Sequence, residues 1–215
     1  METETLGLYV SFICGKIRYT DEPKECAVKM TEISFLCGEV VLAATWLLLR
    51  AAVWIRQKRI DWTRELKLLV MYINLAVILR FSFFPFSRAD GTVQPLVFDK
   101  ADVFPFRVNL IPFFNILDYD SKRDLLLNII GNVGMFIPSG IVLPILYRNL
   151  DCLRKVVLAG ACMSLCIELL QLPFRVRASD IDDLILNTLG VIIGYGLYAA
   201  ITTLIRHVKN NARIQ

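Results

Sequence analysis

The sequence predicts an all-α polytopic membrane protein with about five transmembrane helices. Hydrophobic residues make up 56% of the 215 positions and charged residues only 20%, whereas soluble domains contain roughly 45 to 50% apolar residues. The mean hydropathy of +0.55 agrees with this class. Five apolar stretches are each long enough to cross a hydrocarbon core of about 30 Å as a helix. Since little chain is left between them, we predict a single membrane domain over residues 1–215.

The five predicted spans follow one another in an up-and-down path. They cover residues 33–55, 66–84, 125–147, 156–172 and 181–205. Residues 1–32 lack the basic start of a secretory signal, so we expect this segment to stay on the protein. Its short apolar stretch is followed by Lys16 and Arg18 and is either an interfacial amphipathic helix or a frayed tail.

The basic residues of the short loops predict the orientation, because Lys and Arg are enriched on the cytoplasmic side. Three dense clusters occupy the loops on one side of the path and the tail: Arg56, Lys58, Arg59, Arg64 and Lys67; Arg148, Arg154 and Lys155; and Arg206, Lys209 and Arg213. We therefore place the amino terminus outside and the carboxyl terminus inside. The net charge of +4 suits an anionic membrane surface and does not indicate nucleic acid.

The outward loop between spans two and three, residues 85–124, repeats an aromatic–proline pattern. The pattern reads Phe83-Phe84-Pro85-Phe86, Phe104-Pro105-Phe106 and Ile111-Pro112-Phe113-Phe114. Proline prevents a continuing helix, and phenylalanine favours a half-buried position. We predict a re-entrant or interfacial loop, which is either a lid that contacts a ligand or a segment packed on the membrane. Two short edge strands joined by a turn at Ala89-Asp90-Gly91 are the alternative.

Polar residues within the predicted spans lie at one depth, toward the outer face. Odd-numbered spans start at this face and even-numbered spans end at it. The residues near those span ends are Glu39, Arg80, Asn128, Asn132, Glu168, Gln171, Asp182, Asp183 and Asn187. A charge inside the bilayer costs at least about 2.5 to 3.5 kcal/mol, so these groups must face one another or water. Either they stabilise the bundle, with Arg80 neutralising one carboxylate, or they form a headgroup or catalytic site. Glu168 and Asp183 repel each other in a low dielectric and favour the second interpretation.

Small residues share helix faces with these polar groups. Steps of three and four residues place Gly160, Ser164, Glu168 and Gln171 on one face of span four, and Asp183, Asn187, Gly190 and Gly194 on one face of span five. Because small residues let helices approach closely, we predict that spans three to five pack together and open into a polar pocket. Cys162 and Cys166 are interpreted as buried apolar filler.

The connection between spans four and five places arginines beside acids. Arg175 and Arg177 precede Asp180, Asp182 and Asp183. They form either an ion-pair latch with these acids or a clamp for a phosphate or carboxylate. With one His and no paired Cys spacing, imidazole-based zinc and haem sites are excluded. We expect no cofactor, with a divalent cation among the acids as the alternative.

Four separated motifs resemble the VanZ-like family of bacterial membrane proteins. They occur in the family's order over residues 109–200: Asn109-Leu110-Ile111-Pro112-Phe113, then Gly131-Asn132 with Phe136-Ile137-Pro138-Ser139-Gly140, then residues 164–171, and Arg177 with residues 180–190. Gly134 and Ser139 depart from the family's usual pattern, which has bulkier apolar residues there. The resemblance marks seven positions as family signatures: Asn132, Glu168, Gln171, Arg177, Asp180, Asp183 and Asn187.

The resemblance implies a protein of the Gram-positive cell envelope, in the bacterial cytoplasmic membrane, linked to low-level resistance to teicoplanin, a lipid-tailed glycopeptide antibiotic. It supplies no mechanism. We prefer the hypothesis that the protein is not an enzyme and binds the drug, or a lipid-linked wall precursor, at the outer leaflet, with membrane lipid as a further partner. The ligand-binding candidates are Arg80, Arg107, Asn128, Asn132, Glu168, Gln171, Arg175, Arg177, Asp180, Asp183 and Asn187.

The alternative hypothesis is a membrane enzyme that modifies an envelope lipid or wall precursor, with Glu168 or Asp183 as general base. No serine-nucleophile motif supports it, and Ser164 has no base at helical spacing except Glu168. A transporter and a purely structural partner of envelope proteins are two further hypotheses. Five spans without an inverted repeat disfavour a transporter.

Overall fold

The structure is a computed structural model that describes residues 17–18, 30–84, 91–98, 108–113, 121–174 and 179–214. These residues form five long helices and five short strands. They are β1 (Ile17–Arg18), β2 (Met30–Ile33), α1 (Phe35–Gln57), α2 (Trp62–Phe83), β3 (Leu96–Phe98), β4 (Val108–Asn109), α3 (Lys122–Leu146), α4 (Leu153–Gln171), β5 (Ser179–Asp180) and α5 (Ile181–Ile214). The predicted all-α polytopic class is confirmed, and each helix begins within a few residues of a predicted span.

Four of these helices, α1, α2, α3 and α5, are long and apolar enough to cross a membrane. Helix α4 is not among them, because its 19 residues include Arg154, Lys155 and Glu168. The fourth predicted span is thus a helix, but any 18-residue stretch of it contains all three of these charges, whereas each of the other four has such a stretch with at most two. Helix α5 continues past the predicted end at residue 205 to Ile214.

Local side-chain chemistry sets the ends of α1 and α3. The Ser34 hydroxyl accepts a hydrogen bond from the Cys37 N–H at 3.2 Å and caps the start of α1. The helix ends at Lys58, whose backbone is left-handed with φ of 52°. Helix α3 contains Pro138 and Pro144, which remove two backbone N–H donors from its interior. Membrane helices tolerate such prolines where neighbouring groups satisfy the freed carbonyls.

The chain divides into two compact units. The first unit comprises Met1–Ile60, Leu75–Leu110 and Ile167–Asp180, and the second comprises Asp61–Asn74, Ile111–Cys166 and Ile181–Gln215. In the first unit, β1, β2 and β3 form an antiparallel sheet in that order, and β4 pairs with β5 in parallel. The predicted strand alternative for the outward loop is therefore correct for residues 96–98. Their partner is β2 rather than a strand across the turn at residues 89–91.

Glycines bring the helices of the second unit into backbone contact. A side chain at Gly190 or Gly194 of α5 would overlap the carbonyl oxygens of Val133 or Ile137 on α3. Gly160 of α4 lies against the Val191 side chain in the same way. The predicted close approach of spans three, four and five is confirmed within this unit.

The interpretation of Cys162 and Cys166 as buried filler is wrong, because both side chains are exposed. The buried face of α4 in this region carries Gly160 and Ser164. Each residue turns the helix by about 100°, so side chains two positions apart point about 200° apart. Cys162 follows Gly160, and Cys166 follows Ser164, by two positions. The two thiols therefore lie on the opposite, outer face of α4.

Candidate functional site

The candidate ligand-binding residues fall into two sets, one in each compact unit. The first unit holds Arg80, Glu168, Gln171 and Asp180, and the second holds Asn128, Asn132, Asp183 and Asn187. Three further candidates, Arg107, Arg175 and Arg177, lie outside the described residues. Most of the loop at residues 85–124 also lies outside them.

In the first unit, Glu168 and Asp180 form a carboxylate cluster with Asn109. Glu168 is only 3% exposed, and its Oε2 accepts a hydrogen bond from the Asp180 N–H at 3.0 Å. The Asp180 Oδ1 accepts from the Asn109 Nδ2 at 3.2 Å, across the register of β4 and β5. Charge-assisted hydrogen bonds of this kind are stronger than neutral ones. Glu168 thus fixes the backbone of β5.

Gln171 lies three residues, nearly one helical turn, after Glu168 and is also buried. Its Nε2 donates to the Ser82 carbonyl of α2 at 2.6 Å. Its Oε1 has no hydrogen-bond partner among the described residues. The amide thus ties the end of α4 to the end of α2 within the first unit.

Arg80, in the last turn of α2, is held by aromatic rings. Its guanidinium carbon lies 5.6 Å from the ring centroid of Phe35 and 5.6 Å from that of Phe81. In the part of the chain that the structure describes, no carboxylate lies within ion-pair distance of Arg80, and its Nη1 is buried without a hydrogen-bond partner. The idea that Arg80 neutralises one of the described acids is therefore wrong.

An apolar pocket of about 560 Å³ lies between α1 and α2 in the first unit, and we call it the α1–α2 pocket. Helix α1 contributes Gly38, Val41 and Thr45 to its wall, and α2 contributes Leu79, with Phe84 directly after the end of that helix. Phe174 closes another side, where its ring meets Phe83 edge to face at 6.2 Å. The sequence alone did not reveal this pocket, since the first two spans carry no recognisable motif. The spacing of Gly38, Val41 and Thr45 along one face of α1 was the available signal.

In the second unit, Asp183 belongs to an amide cluster with Asn128 and Asn132. The Asn132 Nδ2 donates to the Asp183 Oδ1 at 2.6 Å and to the Asn128 Oδ1 at 3.3 Å. The neighbouring Asp182 is buried, and its Oδ1 accepts from the Phe113 N–H at 2.7 Å. Both acids at the start of α5 are thus engaged by N–H donors.

Asn187 and Ser164 meet in the interior of the second unit. The Asn187 Nδ2 donates to the Ser164 Oγ at 2.9 Å, and both residues are almost fully buried. The predicted inward face of α4 and α5 is confirmed at these two positions. Because an amide cannot act as a general base, this contact does not activate Ser164 as a nucleophile.

Asn74 and Ser139 form a buried polar contact that the sequence did not predict. The Ser139 Oγ donates to the Asn74 Oδ1 at 2.5 Å, and the Asn74 Nδ2 donates to the Met135 carbonyl at 2.8 Å. Met135 precedes Pro138 by three residues in α3. Asn74 thus bonds to α3 in the turn before Pro138, at the carbonyl next to that of Gly134, which the proline leaves without its helical donor. A single Asn within an apolar span was the signal.

No three His, Cys, Asp or Glu side chains come together as a metal site would require, within the described ranges. The divalent-cation alternative for the acids therefore has no three-ligand arrangement to support it in that part of the chain. A carboxylate pair with water ligands is the arrangement that it would need.

Comparison with known proteins decides the family. The family model described as VanZ/LLP1 matches residues 69–204, which is more than half of the chain. The chain belongs to the VanZ/LLP1 family. A relative named Protein VanZ, from Enterococcus faecium, is 38% identical over 69 residues, which cover 32% of this chain and 42% of that protein. The chain thus matches less than half of that relative's length. No solved structure matches the chain.

VanZ/LLP1 membership and the four apolar helices together make this a multi-pass membrane protein. The predicted signature region, residues 109–200, lies inside the matched range. The α1–α2 pocket straddles its boundary, because Leu79, Phe84 and Phe174 lie within the matched residues and the α1 wall precedes them.

Proposed function

We propose that this VanZ/LLP1 protein binds the acyl tail of a lipid-tailed glycopeptide such as teicoplanin, or of a lipid-linked wall precursor, at the outer leaflet of a Gram-positive cytoplasmic membrane. Drug held in this way does not reach its target, which gives low-level resistance. The observation that carries the proposal is the α1–α2 pocket. Its volume of about 560 Å³ lies within the range of about 300 to 1,000 Å³ that is typical of small-molecule sites.

The pocket lining suits a hydrocarbon chain. Its walls are aliphatic and aromatic apart from the Thr45 hydroxyl and the Cys37 thiol. Each methylene that leaves water for such a surface contributes about 0.8 kcal/mol. Val41, at the pocket wall, is 58% exposed on the outer surface of α1, so the pocket is open to the membrane. A tail already dissolved in the bilayer can therefore enter without passing through water.

The polar part of the ligand is proposed to contact Arg107, Arg175 and Arg177. Arg175 directly follows Phe174 of the pocket wall in the sequence, and Arg177 comes two positions after Arg175. Glu168, Gln171 and Asp180 are proposed to hold the wall in place, since Gln171 ties α4 to α2 and Glu168 fixes β5.

The polar residues of the second unit are proposed to be structural. The amide cluster and the contact between Asn187 and Ser164 use these side chains for one another. The enzyme hypothesis needs Glu168 or Asp183 to take a proton from a substrate, whereas each of them already accepts a hydrogen bond from an N–H group of the protein.

The test is drug susceptibility in a sensitive Gram-positive host that expresses the wild type, Val41→Trp or Thr45→Phe at matched membrane levels. We expect the wild type to raise the inhibitory concentration of teicoplanin but not of vancomycin, which lacks the lipid tail. Both variants should lose this effect, because their larger side chains fill the pocket. Leu48→Trp is the matched control, since Leu48 is 72% exposed on α1 and does not line the pocket.

Full resistance in Val41→Trp and Thr45→Phe would contradict the proposal. A Glu168→Gln/Asp183→Asn protein separates the two hypotheses further. If that protein loses resistance while both pocket variants keep it, the acids rather than the pocket carry the function.

A further inference from the structure

We infer that Arg80 gives the α1–α2 pocket an anion-binding end, and that an anionic phospholipid of the surrounding membrane occupies it with one acyl chain in the pocket and its phosphate on the guanidinium. The inference rests on the pocket of the proposed function, but it requires no drug. It assigns the pocket a resident lipid of defined charge.

The guanidinium of Arg80 is positioned by aromatic rings, and none of the described carboxylates forms an ion pair with it. Two aromatic rings, Phe35 and Phe81, hold it at 5.6 Å each. Its Nη1 is buried and lacks a hydrogen-bond partner among the described residues. Arg80 is half-buried, and a guanidinium that has lost part of its hydration is more stable beside an anion, so an anionic ligand at this position would stabilise it. The carboxylate of Glu39, one turn after Phe35 on α1, lies more than 4.0 Å from the guanidinium nitrogens of Arg80 and forms no ion pair with it.

Phe35 connects Arg80 to the pocket. The ring beneath the guanidinium packs edge to face on Phe84 with centroids 5.5 Å apart, and Phe84 lines the pocket. Leu79, which precedes Arg80 on α2, lines it too. A ligand with its chain against Phe84 therefore has its polar end within reach of the guanidinium.

The combination of one cation and an apolar wall fits a phospholipid better than other anions. A phosphate diester accepts the forked pair of hydrogen bonds that a guanidinium offers. A soluble anion would leave the apolar wall exposed, and a neutral lipid would leave Arg80 without a partner. Arg80 stands in the last turn of a membrane-spanning helix, which is where a headgroup meets a helix end. Membrane lipid also reaches the pocket directly past the exposed Val41.

The test is binding of lysophosphatidylglycerol and of a phosphate-free monoacylglycerol of equal chain length to the purified full chain in non-ionic detergent, measured by native mass spectrometry. The wild type should bind the anionic lipid at least about tenfold more tightly, as expected for a charge-assisted contact. Arg80→Gln should remove this preference and keep the binding of the monoacylglycerol. Arg50→Gln is the matched control, because Arg50 also lies over an aromatic ring, that of Trp54, but away from the pocket lining.

Equal binding of both lipids to the wild type, or an unchanged preference in Arg80→Gln, would overturn the inference while the pocket remained a tail site. If Arg80→Gln does not accumulate, Arg80→Lys gives a second measurement, because an ammonium lacks the forked pair and should weaken the preference. A preference equal to the wild type would then overturn the pairing with phosphate.

Val41→Trp separates this inference from the proposed function. It should abolish the binding of both lipids, and unchanged binding would show that the lipid lies elsewhere and overturn the inference. If Arg80 controls lipid binding as expected while the pocket variants leave teicoplanin susceptibility unchanged, the lipid site stands and the drug-binding proposal fails.

Discussion

Asparagine side chains make most of the described side-chain hydrogen bonds that join separate segments of the second unit. Asn74, Asn132 and Asn187 each donate to an oxygen on another segment of the chain. An amide both donates and accepts while it carries no charge, so it can join helices at membrane depth without the cost of a buried ion. Aspartate appears in this set only at the start of α5, where N–H donors meet it.

Removing the Ser139 hydroxyl should destabilise the protein. Ser139→Ala leaves the buried Asn74 Oδ1 without its described donor, and the expected loss is about 1 kcal/mol. The thermal midpoint of the detergent-solubilised protein should fall. Thr203→Ala is the control, because the exposed Thr203 hydroxyl bonds only to its own helix at the Ala199 carbonyl. A midpoint that falls equally in both variants would contradict the role given to Ser139.

Helical spacing predicted the burial of single residues where one helix decides it. Ser164, Glu168 and Gln171 are buried on one face, as their steps of three and four require. Spacing could not predict partners on other helices, which is why Asn74 was missed and why one of the two interpretations paired Arg80 with a carboxylate. The distances that decide these contacts depend on how the helices pack, and one sequence does not contain that information.

At the scale of elements, hydropathy located all five helices because each apolar stretch is long. It placed the end of α5 too early, since the helix continues through polar residues after position 205. The short strands could not be predicted, because two or three residues are too few to show alternation. Their partners are also remote, as in the pairing of β2 with β3 across α1 and α2.

Two glycines of α5 provide a sharp test of helix packing. Gly194→Ala would place a methyl group on the Ile137 carbonyl of α3 and should cost about 2 kcal/mol. Gly196→Ala is the control, since nothing lies within 4 Å of a side chain there. The control should be neutral or slightly stabilising, because alanine favours helix. Thermal midpoints of the two variants in one detergent give the comparison, and equal values would refute the packing.

At the scale of the whole molecule, family membership and the apolar helices establish a multi-pass membrane protein. The distribution of basic loops predicts its orientation, with the loop before α4 inside and the segment around Gly91 outside. Each of these two segments contains an exposed residue that can be labelled or replaced, Cys152 before α4 and Gly91 in the outward segment.

Cysteine labelling in intact cells tests this orientation. A variant that keeps only Cys152, and a cysteine-free variant with Gly91→Cys, are treated with a membrane-impermeant maleimide. We expect Gly91→Cys to react in intact cells and Cys152 to react only after permeabilisation. The reverse pattern would place the carboxyl terminus outside.

The parallel pairing of β4 with β5 also bears on how the chain folds. Asn109 and Asp180 lie 71 positions apart, and α3 and α4 form the chain between them. Closing so long a loop lowers the entropy of the chain before the contact can form its hydrogen bonds, so the contact forms late. The helices can enter the bilayer one after another during synthesis, whereas the carboxylate cluster has to wait until β5 has left the ribosome. Changes at Asn109 or Glu168 should therefore leave the insertion of the helices intact. They should affect only the later pairing of β4 with β5, after the chain is already in the membrane.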